Sequence, residues 1–201
     1  GSTSYSLSLT GANVASGLFA LGANGAQGAS IVLNVDTTGA DAGDIVGSAG
    51  GVEYFRIHVD SATGQVTFSQ SENIWHSNTG NDDDSSTLTL SNANLLQIVQ
   101  TVTDADGDSD SASINLGRGV FSIEDDGPDA VVSNAQADAL VLDETRPLGS
   151  ETDGDSDPVG VASVSANFAD NFAAVTDYGS DGPGSTSYSL SLTGANVASG
   201  L

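Results

Sequence analysis

Apolar and polar residues alternate along most of the chain, the period-2 mark of strands with one buried face. Tyr5, Leu7 and Leu9 alternate with serines and a threonine, and Ile31, Leu33 and Val35 follow a glycine-rich connection. Phe55, Ile57 and Val59 then meet Val66 and Phe68 across residues 60–64, DSATG, a hairpin loop with its glycine late. Leu88 and Leu90 alternate with Thr87 and Thr89. Only residues 92–99 carry helical spacing, in Ala93, Leu96 and Val99, and predict a short helical turn. Val102 leads into Ala112, Ile114 and Leu116, set against Ser111, Ser113 and Asn115. A Gly117-Arg118-Gly119 turn and a return through Val120 to Ile123 make this read as a hairpin. Further apolar pairs, Leu140/Leu142, Val159/Val161 and Phe168/Phe172, are broken by Gly, Asp and Pro. Turn residues recurring about every ten positions predict an all-β sandwich with little or no helix.

Residues 1–18, GSTSYSLSLTGANVASGL, recur letter for letter as residues 184–201, and both copies of SYSLSLTG are expected to be ordered strands. Residue 184 stands where residue 1 stood, a period of 183. That is far above the roughly 20–50 residues of solenoid repeats, so each unit is large enough to own a core. The expected arrangement is a tandem array of separate modules. Near-identical neighbours favour a spacing role over a unique catalytic one. Gly127-Pro128, a rigid break after an acidic run, puts the junction at residues 124–129. Residues 1–125 would be the later part of one repeat and residues 126–201 the start of the next. A rival cut lies at Gly182-Pro183-Gly184. Lacking an initiating Met, the chain is expected to be a piece of a longer protein.

Charge sharpens this reading. The 27 Asp and Glu face only Arg56, Arg118 and Arg146, for a net charge of −24. Nucleic acid and anionic membrane both require basic patches, so neither is expected as a partner. No apolar run approaches the roughly 18 residues of a membrane span, so no membrane insertion is expected. The absence of cysteine excludes thiolate-bound zinc and iron–sulfur sites. Between Asp104 and Asp157 lie 15 of the 27 acids, clustered as a solvated surface alone would not cluster them. Asp104, Asp106 and Asp108 have the D-x-D-x-D spacing that gathers carboxylates around an oxygen-liganded cation. They do not form an EF-hand, because Gly107 takes the fourth place and Asn115 the twelfth. Glu124, Asp125 and Asp126 close the predicted hairpin at its other end. Two unit charges about 4 Å apart repel by roughly 1–4 kcal/mol. A chain without lysine that draws both clusters together is therefore expected to use a metal ion, with both clusters in one calcium shell. Asp153, Asp155 and Asp157 repeat the spacing, and Asp143 and Glu144 could supply ligands from a strand end; all five are candidate metal ligands. Asp82-Asp83-Asp84 reads as a solvated tip, Trp75 as a plug at the end of the sandwich with His76 bonded locally, and His58 as a surface strand residue. No nucleophile motif, zinc-protease motif or phosphate-binding loop is present, so no enzyme is expected.

The runs VQTVTDADGDSDSASINL…FSIEDDGP and NFADNF…DYGSDGPGSTSYSLSLTG resemble the long repeats of giant RTX-type adhesins. These are Gram-negative bacterial surface proteins exported by type I secretion. The resemblance covers essentially the whole period. It implies Ig/cadherin-like β-sandwich extender modules with calcium-binding loops. Folded and rigidified by Ca2+, these would project ligand-binding domains from the cell surface in biofilm formation. Neighbouring repeats and calcium ions would be the partners. Asp104, Asp106, Asp108, Glu124, Asp125 and Asp126 fall where such repeats hold interdomain calcium. The glycine-rich RTX nonapeptide is absent, so no β-roll site is expected. The alternative function is a calcium-dependent, lectin-like module binding a glycan through Trp75 and His76.

Overall fold

A computed structural model describes residues 1–142, 163–174 and 177–201. The chain divides into two units, one of residues 1–127 with 179–181, the other of residues 128–178 with 182–201.

The first unit holds ten strands: β1 (Ser2–Leu9), β2 (Val14–Leu21), β3 (Gln27–Val35), β4 (Ile45–Ala49), β5 (Val52–Val59), β6 (Val66–Gln70), β7 (Ser85–Thr89), β8 (Leu96–Thr103), β9 (Ser109–Asn115) and β10 (Arg118–Glu124). They form a five-stranded sheet β2-β3-β4-β5-β6, a three-stranded sheet β1-β8-β9 and the pair β10-β7, with every pairing antiparallel. Inward residues from all three sheets meet in one apolar cluster, among them Ile31, Phe55, Leu88, Leu96 and Phe121. The fold is an all-β sandwich.

Alternation explains most of these strands. In β5, Phe55 and Ile57 are fully buried, and the ring of Phe55 meets Phe68 edge-on at 5.5 Å, while Phe68 lies 5.1 Å from Phe121 of β10. Gly47 makes room for this cluster, because a Cβ there would come within 2.3 Å of the Phe55 ring. Between β5 and β6 the predicted hairpin is present. Asp60 caps it by accepting from the N–H groups of Ala62 and Thr63, and Gly64 sits at φ +76°. The opposite face of β5 carries an ionic network. Arg56 donates to Glu53 (2.9 and 3.0 Å), Asp36 (3.0 Å) and Asp44 (3.3 Å), and His58 Nδ1 lies 2.7 Å from Asp44. His58 is therefore tied to a buried carboxylate on its sheet face.

Four sequence expectations need correcting or narrowing. First, β9 and β10 are not a hairpin: β9 pairs with β8, β10 with β7, and the chain crosses between sheets at Leu116-Gly117. Arg118 fixes the crossing by donating to the carbonyls of Leu90 and Ser91. Second, the alternation of β9 buries nothing. It is the outer strand of its sheet, all seven residues are exposed and Ile114 is 68% exposed; only Leu116, past its end, enters the core. Third, the short helical turn expected within residues 92–99 is present but covers only Ala93–Leu95, as a 3-10 turn, after which β8 takes over. Fourth, the second copy of SYSLSLTG is not a strand. β1 exists because β8 pairs with it along its whole length. No described strand stands beside the second copy as β8 stands beside the first, and Leu190 and Leu192 are exposed.

In the second unit, Leu140 and Leu142 are exposed and no strand forms among the described residues. A 3-10 turn, Phe168–Asn171, leads to a single bridge between Val132 and Phe172, and the Phe172 ring packs 5.8 Å from Tyr188. Val159 and Val161 lie outside the described residues.

Candidate metal centres

The β8–β9 turn brings Asp104, Asp106 and Asp108 together. One carboxylate oxygen from each lies within 4.8 Å of the other two. The turn is built by its own backbone. Asp104 N–H donates to the Asp108 carbonyl (2.9 Å), Asp104 Oδ1 accepts from Gly107 (3.0 Å) and Asp108 (2.9 Å), and Gly107 takes φ +105°. A hydrogen bond shared with the Asp106 carboxyl, followed by these N–H groups, holds the Asp104 carboxyl below its ordinary value. All three residues are exposed. The loop thus offers several oxygens on one side of a tight turn and leaves room for water, a set that suits a hard cation. Asp110, on β9, is exposed and uses its carboxylate to accept from Ser111 N–H.

Asp125 belongs to a different group. One donor atom from each of His76, Asp84 and Asp125 lies within 4.8 Å of the other two. His76 Nδ1 is 3.4 Å from Asp84 Oδ1 and 3.2 Å from Ser86 Oγ. The β7–β10 ladder extends past the strands to hold these residues, with Asp125 N–H donating to the Asp84 carbonyl (2.8 Å) and Gly127 N–H to that of Asp82 (3.0 Å). Residues 179–181 close the group: Ser180 N–H donates to the Asp126 carbonyl (3.0 Å), and Asn73 donates to the Ser180 carbonyl. The result is a cavity of about 210 Å³ within the first unit, lined in part by His76, Glu124, Asp125, Asp126 and Asp181. Burial and then the Asp125 charge push the Asp181 carboxyl above its ordinary value, while His76 pulls the other way.

With both groups defined, comparison gives one family. The model of a domain of unknown function, DUF5801, matches residues 1–117 and 139–201. The chain belongs to the DUF5801 family. No curated protein and no solved structure matches it.

The acidic residues singled out in this DUF5801 chain fall in three places. Asp104, Asp106 and Asp108 form the turn group. Asp125 sits with His76 and Asp84, and Glu124 and Asp126 line the same cavity. Asp143, Glu144, Asp153, Asp155 and Asp157 lie outside the described residues. The solvated tip expected at residues 82–84 is exposed at Asp82 and Asp83, but Asp84 turns inward. The signal for this is parity. Leu90, Leu88, Ser86 and Asp84 share one face of β7 and its extension; Phe121, Ile123 and Asp125 share the inward face of β10; and His76 follows the buried Ile74 by two. Three inward registers continue past the apolar core and end in polar side chains at one point. Trp75 faces the other way, its ring edge-on to Phe19 at 6.3 Å and its backbone N–H donating to the Phe19 carbonyl (2.8 Å).

Proposed function

We propose that this chain is a structural extender module of a bacterial surface adhesin, folded and stiffened by calcium, that holds ligand-binding domains away from the cell. One observation carries the proposal: a verbatim recurrence at a period of 183 residues, in a chain whose first 127 residues close into a sandwich with its own core. A chain that repeats whole modules gains length with each copy. It gains no new chemistry. The family match on both sides of residues 118–138, a span that contains Gly127-Pro128, supports a tandem reading. The resemblance to RTX-type adhesin repeats supplies the setting outside the cell. A cysteine-free chain of net charge −24 can stay unfolded at low calcium, pass a secretion channel and fold where calcium is abundant. The edge-on packing of Trp75 against Phe19 and the burial of His76 favour this reading over a glycan platform.

The turn group at Asp104, Asp106 and Asp108 is the proposed calcium ligand set, with a Kd of roughly 10⁻⁴–10⁻³ M, the range of extracellular calcium modules. At 100 times that Kd the ion adds about 2.7 kcal/mol to stability. Calorimetric calcium titration and thermal melts, run on the parent and on Asp104→Ala/Asp106→Ala, test it. The variant should bind at least one ion fewer and lose its calcium-dependent rise in Tm at that site. An unchanged ion count with an unchanged melting shift would overturn the assignment.

A further inference from the structure

We propose that His76, Asp84 and Asp125 form a second metal site, distinct in chemistry from the calcium turn, that takes a zinc-class divalent cation. The two groups differ in their donors. The turn at Asp104 offers oxygen alone and stands in solvent, whereas the cavity presents an imidazole nitrogen beside carboxylates, on residues that are partly buried. Calcium takes oxygen ligands, while imidazole suits zinc and its first-row neighbours. The His76 side chain is only 7% exposed and that of Asp84 14%.

A second observation points to a ligand. Asp84 Oδ1 is sealed from solvent and, among the described residues, has no hydrogen-bond partner. His76 Nδ1 stands 3.4 Å from it, without hydrogen-bond geometry. A buried carboxylate oxygen left unsatisfied is costly, and native folds seldom retain one without cause. The spacing offers the cause. Two donors each about 2.0–2.1 Å from a tetrahedral zinc stand roughly 3.3 Å apart, close to the separation seen here. Asp181 lines the same cavity but stands outside this three-donor group, which leaves the fourth position to water. The backbone is already set for this, since the bonds from Asp125 to Asp84, Gly127 to Asp82 and Ser180 to Asp126 hold three chain segments around the cavity. Such a site would tie the segment of His76 to the paired ends of β7 and β10. It does not depend on the calcium reading, because none of its donors belongs to the turn.

The test is zinc chloride titrated calorimetrically into tag-free protein held in excess calcium, so that surface carboxylates are already occupied. One zinc per chain should bind, and calcium should not displace it. His76→Gln should weaken it at least about tenfold, the lower end of what loss of even an outer-shell partner costs a metal site. Asp125→Asn, at a half-buried position that keeps its backbone bonds, should weaken it similarly and guards against a folding defect at His76. Asp104→Ala/Asp106→Ala should leave it unchanged. Cobalt substitution should give the visible bands of a nitrogen- and oxygen-bound tetrahedral ion, absent in His76→Gln. Zinc uptake equal in parent, His76→Gln and Asp125→Asn, or zinc fully displaced by calcium, would overturn the site and leave an ordinary His–Asp contact. Loss of the zinc site together with intact calcium binding would leave the extender proposal standing, and the reverse result would sink the calcium turn alone.

Discussion

Phe55→Ala should destabilise the first unit by about 3–5 kcal/mol, the usual loss for a large aromatic removed from a packed core. The side chain is fully buried, its ring is edge-on to Phe68, and Phe68 in turn meets Phe121 from another sheet. Removing it takes away transfer energy and edge-on contacts worth about 0.5–1.5 kcal/mol beyond the buried area. The surroundings cannot close the gap from the β4 side, because the residue opposite is Gly47, which carries no side chain to move in. Domains are typically stable by only about 5–15 kcal/mol, so this one substitution removes a large share of the margin. Denaturant unfolding should show a lower midpoint at an unchanged slope. Ile114→Ala, in the exposed outer strand β9, is the contrast and should stay within about 0.5 kcal/mol of the parent. Similar losses at both positions would mean that the sandwich core is not where the unit's stability resides.

Arg56→Ala should cost about 3 kcal/mol, the lower end of what breaking a buried ion pair does. Arg56 draws together Glu53, Asp36 and Asp44, and Asp44 is a buried carboxylate on a strand-flanking turn. Without the guanidinium, the buried Asp44 carboxylate keeps only the His58 ring, 2.7 Å away, as a partner among the described side chains. Arg56→Lys should recover only part of the loss, since an ammonium cannot reproduce the two-pronged contact with Glu53. The substitution should also change the response to acid. The N–H of Thr38 first, and Arg56 next, hold the Asp36 carboxyl below its ordinary value. The folded state therefore favours the ionised form. That contribution is complete above the unfolded value of about 3.9 and is lost as pH falls through the lower folded value. Removing Arg56 weakens this effect, so the stability of the variant should fall less steeply on acidification below about pH 4 than that of the parent. A parallel acid limb in parent and variant would mean that the network does not hold Asp36.

The identical stretches at residues 1–18 and 184–201 mark how much of this fold the sequence could reveal. Alternation makes SYSLSLTG a strand candidate in both places, yet only the first copy, paired with β8, is one. Strand character here is a property of the partner as much as of the residues. Where a strand and its hairpin partner are adjacent, as in β5 and β6, pattern and turn chemistry suffice. The strands β2 and β4 escaped because polar Ser16 and Gly47 occupy inward positions of their patterns. Gly17 takes φ +82° beside the β7 backbone, where a Cβ would meet the Thr89 carbonyl at 2.9 Å. The crossing at Gly117 was hidden for a related reason: the Gly-Arg-Gly sequence looks like a hairpin turn, and only the bonds from Arg118 to Leu90 and Ser91 send the chain to the other sheet.

The candidate metal residues divide in the same way. Asp104, Asp106 and Asp108 are local in sequence, and their spacing was enough to bring them together. His76, Asp84 and Asp125 come from three segments, and only the pairing of β7 with β10 puts Asp84 across from Asp125. Parity could have marked all three as inward-facing, but not as neighbours.

The most direct measurement is small-angle scattering from a chain carrying two full periods, recorded in saturating calcium and after chelation. If calcium at the Asp104 turn stiffens the array as proposed, saturating calcium should give a narrow, extended distribution of interatomic distances. Chelation should shorten and broaden it while circular dichroism still reports strands, and Asp104→Ala/Asp106→Ala should reproduce part of that change in calcium. Identical distributions with and without calcium, in a chain shown to bind it, would contradict the calcium-stiffened extender.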